Sequence, residues 1–195
     1  MSFEVRPEQP VDRDDVLRVI AAAFGEGGDR VAQIWGGLGH HRRPALVVEQ
    51  GGHVVGHVGL SRAWVDARPA LVEVWVLSPL SVAPDRQREG IGTTLVVAAV
   101  ESARRSGVPA LFLEGSPFYY GARGFERGDR HGFLPAALER TPRAAFQCVL
   151  FEGHEPWMTG QLVYPDIWWR HDAAGLRDPR LAEAERTPAA PEQRH

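Results

Sequence analysis

The chain contains one cysteine, Cys148, two methionines and no lysine; all 22 basic residues are arginine. A lone cysteine excludes a disulfide framework and a cysteine-built zinc site. The absence of lysine excludes a Walker A phosphate loop, which must end in Gly-Lys-Ser/Thr. No apolar run reaches the roughly 18 residues that a membrane-spanning helix requires. The opening MSFEVRPEQPVDRDD is too acidic and too polar for a signal peptide. Neither charge dominates: the net charge is -3, so a general basic surface for nucleic acid is excluded. These absences lead to the expectation of a cytoplasmic protein with no nucleic-acid partner, no membrane partner and no metal.

What is present is an ordinary globular composition, with 44% hydrophobic and 24% charged residues. A chain of 195 residues is long enough to bury roughly 70% of its unfolded surface without a disulfide or metal staple. Composition shifts once. Residues 172–195 carry Pro179, Pro188 and Pro191 among Ala, Arg and Glu, with few large apolar residues. Such a segment buries too little surface to offset its ordering entropy. The expected organisation is one domain over 1–171 and a partly disordered tail over 172–195, within which LRDPRLAEAER has fair helix propensity.

Strands and helices alternate before the tail. FEVR (3–6) reads as a first strand, and residues 12–24 as a helix with Val16, Leu17, Val19, Ile20, Ala23 and Phe24 at helical spacing. Asp12 is its expected N-cap, with Asp14 and Asp15 in the first turn. A second helix is expected over 29–38. The run ALVVEQ, Gly51-Gly52, HVVGHVGLSRAWV reads as a hairpin with a glycine turn. LVEVWVLSPLSV (71–82) reads as a long strand, with Pro79 requiring a bulge or a parting of strands because proline donates no ladder hydrogen bond. IGTTLVVAAVESARR (91–105) is a helix ended by Gly107, and PALFLEG (109–115) a strand buried on both faces. Strand, crossover helix and strand make a right-handed parallel β-α-β unit. Two more strands are expected at AFQCVLFE and TGQLVYP. The fold class is α+β, one central mixed sheet with helices on both faces.

Between the 71–82 strand and the 91–105 helix lies Val82-Ala-Pro-Asp-Arg-Gln-Arg-Glu-Gly-Ile-Gly-Thr. Amides at a helix start lack internal acceptors, and the helix dipole adds positive potential there. Gly90 and Gly92 leave the backbone open to a ligand, which makes an anion site suited to phosphate or pyrophosphate. The dinucleotide pattern Gly-x-Gly-x-x-Gly fails, because position 95 is Leu. What remains is Gln-x-x-Gly-x-Gly over Gln87–Gly92.

In its context, PLSVAPDRQREGIGTTLV (79–96) closely resembles the acyl-CoA-binding motif of the GCN5-related N-acetyltransferase (GNAT) superfamily. A second stretch, Gly115-Ser-Pro-Phe-Tyr-Tyr-Gly-Ala-Arg-Gly-Phe125, resembles that superfamily's Tyr and Gly-Phe segment, most like its YhbS-like subgroup. The downstream pattern is commonly Tyr-Tyr-x-Arg-Phe-Gly-Phe, from which Ala122 and Arg123 stand one place out of step. The resemblance covers about residues 3–170. It implies a GNAT fold whose β-α-β core binds acyl-CoA, and transfer of an acetyl group from acetyl-CoA to a primary amine of a small molecule. It further implies that the strand before the loop pairs with the pantetheine arm and then splays from its parallel neighbour, which would account for Pro79. The implied donor-binding residues are Leu80, Val82, Gln87, Arg88, Glu89, Gly90, Ile91, Gly92 and Thr93, with Arg86 a further cation near the phosphates. Tyr120 is the implied general acid, since a phenol of pKa near 10 can protonate a departing thiolate. Tyr119 is its alternative, on the expectation that one of the two rings faces the sulfur.

Two carboxylates are candidates for the general base: Glu73, early in the long strand, and Glu114, at the end of the next one. His53 and His57, four apart, are expected on one strand face, while His40, His41 and His154 are expected to be solvated. Of the six tryptophans, most belong to the core, and one ring of the Trp168-Trp169 pair is expected to line a substrate pocket or a dimer contact. Family members are often dimers, so the resemblance admits a homodimer. The alternatives are a non-catalytic acyl-CoA sensor of the same fold and a protein N-acetyltransferase; retention of Tyr120 favours the enzyme.

Overall fold

The computed structural model describes residues 3–175, and the remainder of the expected tail, including its helix-prone stretch, lies outside the described residues. The two-residue turn Gly51-Gly52 has φ of 59° and 80°, values that only glycine adopts without cost, and it closes the expected hairpin. The hairpin strands are β2 (Leu46–Gln50) and β3 (His53–Ala67), preceded by β1 (Val5–Pro7), α1 (Arg13–Phe24) and α2 (Gly28–Gly37). β4 (Leu71–Val82), α3 (Ile91–Ser106) and β5 (Ala110–Glu114) follow. The C-terminal part comprises α4 (Pro117–Gly121), β6 (Glu126–Arg127), β7 (Phe133–Leu134), β8 (Phe146–Leu150), β9 (Gly160–Val163) and α5 (Asp166–Arg170).

The strands form one mixed sheet in the order β1-β2-β3-β4-β5-β8-β6, with β9 on β3 and β7 on β9. β3 is long enough to serve two neighbours on one edge, β2 along His53–Val58 and β9 along Trp64–Ala67. β4 and β5 run parallel across the α3 crossover, as the β-α-β pattern requires. Both faces of the sheet are covered. On the α3 face, Ile91, Leu95, Val96 and Ala99 pack on Leu60, Trp75, Leu77, Leu111 and Leu113. On the opposite face, α1 and α2 pack Val16, Ile20 and Trp35 on Val47 and Val54. Further along that face, Phe112 meets Phe133 and Phe146, and the chain packs through Ala174.

Two irregularities shape the sheet. Val58 opposes Leu80 and Leu60 opposes Leu77, so Ser78 and Pro79 bulge opposite Gly59. A Cβ on Gly59 would lie 2.4 Å from the Trp35 ring, so this position must be glycine for α2 to dock there. A second bulge leaves Val55 without an opposing residue in β2 and breaks the alternation. The expectation that His53 and His57 share a face is therefore corrected: His53 is exposed, while His57 is fully buried 5.0 Å from the Trp35 ring. His57 Nε2 lies 3.3 Å from Glu8, and burial holds its pKa below the ordinary value although Glu8 pulls the other way. His41 and His154 are half-buried rather than solvated, packed against Trp64 and Phe133 respectively.

Asp12 occupies the expected N-cap position of α1, but it lies in the helical region and its side chain does not cap the helix. Its buried carboxylate instead accepts two bonds from Arg6, at 2.6 and 2.8 Å, and one from the Gln9 N–H at 2.7 Å, tying β1 to the start of α1. The Arg6 bonds outweigh burial and hold the Asp12 pKa below the ordinary value. A depressed folded-state pKa contributes stability above the unfolded-state value and loses it as pH falls. Asp12→Ala is therefore expected to cost about 2 kcal/mol in urea unfolding at neutral pH. The difference from the unmodified chain should shrink as pH is lowered below about 4.

Candidate active site

β4 and β5 pair only at Trp75–Leu111 and Val76–Phe112 and then part, so beyond Val76 the strand β4 pairs with β3 alone. The gap opens into a cleft of about 1410 Å³ lined from both sides of the sheet. On the α3 face it is bounded by the 86–93 loop and by α4, and on the other by α1, α2, Tyr164 and Trp168.

The loop end has the character of an anion site. Arg88 (φ 67°) and Gly90 (φ 97°) are both left-handed, and Gly90 passes directly into the right-handed first turn of α3, a sequence that turns successive amides inward. The amides of Ile91, Gly92 and Thr93 lack intrahelical acceptors, and no side chain caps the helix. A Cβ on Gly90 would meet nothing nearer than Phe3 at 3.9 Å, so its surroundings are open. Gly92 differs: a Cβ there would fall 2.6 Å from the Tyr119 hydroxyl, so its lack of a side chain makes room for Tyr119.

α4 is a single turn begun by Ser116, whose hydroxyl accepts the Tyr119 N–H. Both tyrosines of the pair line the cleft, their rings edge to face at 4.9 Å. Their settings differ. Burial pushes the Tyr119 hydroxyl up in pKa, against the opposing effects of Arg123 and of its hydrogen bond to Thr93. The Arg123 guanidinium stacks 3.6 Å from the Tyr119 ring centre and donates to Thr93 Oγ1 at 2.5 Å and to the Tyr119 carbonyl. Tyr120 packs against Gly115, where a Cβ would come within 2.5 Å of the ring, and its carbonyl accepts the N–H of Phe125.

At the other end of the cleft lies Glu114. Tyr164 donates to one carboxylate oxygen at 2.8 Å and Thr141 to the other at 3.0 Å. Burial pushes its pKa up against these two bonds. No cation among the described residues forms an ion pair with it.

A model described as the acetyltransferase (GNAT) family matches residues 14–133. The chain belongs to that family. A curated relative, the uncharacterized N-acetyltransferase YjhQ of Escherichia coli (strain K12), is 26% identical over 159 residues, covering 80% of this chain and 88% of its own. Among solved structures, a GNAT family acetyltransferase from Brucella melitensis in complex with acetyl-CoA superposes with a TM-score of 0.69 at 27% identity, over 86% of this chain and 98% of that one. YhbS from Escherichia coli, in complex with CoA, superposes with a TM-score of 0.75 at 22% identity, over 87% of this chain and 94% of that one, a likeness of fold.

This GNAT chain brings most of the predicted residues to the cleft: Leu80, Val82, Gln87, Arg88, Gly90, Ile91, Gly92, Thr93, Glu114 and Tyr120 all line it. Glu89 is not on the lining; it pairs with Arg86 at 2.9 Å. Gln87 donates its side-chain amide to the Val82 carbonyl at 3.3 Å, bracing the loop. Glu73 also lies off the cleft. Burial raises its pKa, but Arg43 at 2.8 Å and Arg62 at 3.1 Å outweigh that and hold it low, so it is an ion-paired strand residue. Of the adjacent tryptophans, Trp168 lines the cleft and Trp169 is exposed. Arg123, Tyr164 and Thr141 were not singled out as site residues from the sequence. Only the displaced arginine in the Tyr-Tyr segment hinted at the first, and no local pattern marks the other two.

Gly92→Ala is expected to destabilise the chain by about 1–3 kcal/mol, because Tyr119 must move. Gly121→Ala, whose Cβ would meet nothing within 4 Å, is the control and should be neutral or slightly stabilising. Thermal unfolding of the two variants checks this.

Proposed function

We propose that this chain is an acetyl-CoA-dependent N-acetyltransferase acting on the primary amine of a small molecule. The observation that carries the reading is the cleft through the sheet, lined both by an uncapped α3 N-terminus and by a half-buried carboxylate. The pyrophosphate of the donor would lie on the amides of Ile91, Gly92 and Thr93, with Gln87, Arg88 and Gly90 around it. The edge of β4 at Leu80 and Val82, left without a β5 partner, offers backbone groups to the amides of the pantetheine arm. The parting of the strands and the open space at Gly90 both fit such a donor.

The chemistry then divides between two groups. The acceptor arrives as an ammonium and must lose one proton before its nitrogen can attack. Glu114 takes that proton; its raised pKa makes it a stronger base than an exposed carboxylate. A bond forms between the nitrogen and the acetyl carbonyl carbon. The tetrahedral adduct collapses, the carbon–sulfur bond breaks, and its electron pair leaves on sulfur. Tyr120 protonates the thiolate, and the second nitrogen-bound proton is lost in turn, returning Tyr120 to its neutral form. The sum is an amide, CoA thiol and one proton released to solvent.

Calorimetric titration with acetyl-CoA and thiol release over a panel of amines test this reading; absence of acetyl-CoA binding overturns it. Tyr120→Phe should lower kcat by about 10²-fold or more while acetyl-CoA affinity is retained. Unchanged turnover in that variant removes Tyr120 from the mechanism. A carboxylate base must be deprotonated to act, so kcat/KM should rise with pH along a limb placed above the usual carboxylate range. Glu114→Gln should abolish that limb and lower kcat by about 10²-fold. A limb that survives in Glu114→Gln assigns the base elsewhere.

A further inference from the structure

The half of the cleft that faces α1 and α2 has a composition of its own. Its walls are Phe24, Val31, Ile34 and Leu38 on one side and the Tyr164–Trp168 pair on the other, whose rings stack at 4.9 Å and 26°. Glu114 is on its lining. The other charged residues of this half, Glu26 and Arg30, are exposed and of opposite sign. The remaining arginines on the lining, Arg86, Arg88 and Arg123, belong to the loop end.

Glu114 has hydrogen-bond acceptor capacity to spare. Each oxygen already receives one neutral donor, from Tyr164 and from Thr141, yet a carboxylate offers about four acceptor positions. Two remain, and an ammonium brings three donors. Glu114 is half-buried, and none of the described residues supplies a cation to pair with it. The surrounding aromatic and aliphatic walls favour an apolar body behind the single charge. A polyamine or an aminoglycoside carries several charges, whereas among the described residues lining this half Glu114 is the one carboxylate that is half-buried, Glu26 being exposed.

We infer that the acceptor is a monocationic amine on an aromatic or apolar body, its ammonium received by Glu114 and its body held between the Phe24–Leu38 wall and the Tyr164–Trp168 stack. This inference rests on the acetyltransferase reading and narrows its acceptor. The neutral donors on Glu114 hold the carboxylate in place without cancelling its charge, leaving it to orient the nitrogen toward the gap between β4 and β5.

The test uses the full chain and initial rates of thiol release with acetyl-CoA. The acceptors are 2-phenylethylamine, tryptamine, ethylamine, spermidine, kanamycin and a short peptide with a free N-terminus. The expected result is a kcat/KM for 2-phenylethylamine about 10-fold or more above those for ethylamine and spermidine. Trp168→Ala should narrow the ratio of 2-phenylethylamine to ethylamine, chiefly through a higher KM for the aromatic amine, and Trp168→Phe should restore most of it. The ratio in the unmodified chain decides by itself if Trp168→Ala does not fold. Preference for spermidine, kanamycin or the peptide overturns the inference, as does a ratio near one. Acetyl-CoA binding without turnover of any apolar amine overturns it too and leaves donor recognition standing. Failure to bind acetyl-CoA removes the underlying reading, a result that calorimetry separates from the others.

Discussion

The parting of β4 from β5 is the constraint on which the rest of the site depends. A parallel pair continued to the ends of both strands would close the sheet and separate its two faces. Here pairing stops after Val76 and Phe112, and two residues later Ser78 and Pro79 bulge against β3. Proline has no N–H to give to a ladder, so the sequence itself weakens continued pairing at this point. The bulge is tolerated because the opposing residue is Gly59, over whose bare backbone the Trp35 ring is laid. Trp35 is in turn fixed by His57 in the core and by the Arg42 guanidinium 4.1 Å from its ring centre. The packing of α2, the bulge and the cleft are thus one arrangement, and α2 forms a wall of the same cleft that its tryptophan helps to open.

The ends of this cleft carry opposite charge for different reasons. The positive end is mostly backbone: unsatisfied amides and the dipole of the 16-residue helix α3, supplemented by arginines. Arg86 is partly neutralised by Glu89, while Arg123 is held over Tyr119 beside Thr93 and therefore presents its charge at a fixed place. The negative end is one half-buried side chain, Glu114, held in place by hydrogen bonds from Tyr164 and Thr141. An anionic donor and a cationic acceptor would therefore enter from opposite faces of the sheet, each drawn to its own end.

Much of this fold is legible in the sequence because its signals are local. The Gly51-Gly52 turn, the apolar face of α3, the αL Gly107 and the apolar run Ala110–Leu113 of β5 all announce themselves within a few residues. The loop from Gln87 to Gly92 does so as well. What was not legible depends on residues distant in the chain. Glu73 and Glu114 read alike as carboxylates near strand ends. Their surroundings differ through Arg43 and Arg62 at the first, and through Thr141 and Tyr164, 27 and 50 positions away, at the second. Likewise the bulge at Val55 alters which way His57 turns, and spacing alone cannot show a bulge. Asp12 has the composition of a cap, but Arg6 and Gln9 claim its carboxylate.

The tyrosine pair shows how such distant contacts separate two chemically identical neighbours. A five-residue helix has no stability of its own. α4 is held from outside, by Ser116 at its start and by the Arg123 and Phe125 amides on the Tyr120 carbonyl at its end. Within it, Tyr119 is drawn to the first turn of α3, where Gly92 makes room for it, Thr93 bonds its hydroxyl and Arg123 covers its ring. Tyr120 turns instead onto Gly115, directly after Glu114 at the end of β5. The glycine at 115 is thus as necessary to the proposed acid as the phenol itself: it places that ring beside the strand whose last residue is the proposed base, so proton donor and proton acceptor are set by one turn of backbone. Tyr119 is held at the loop end by Thr93 and Arg123.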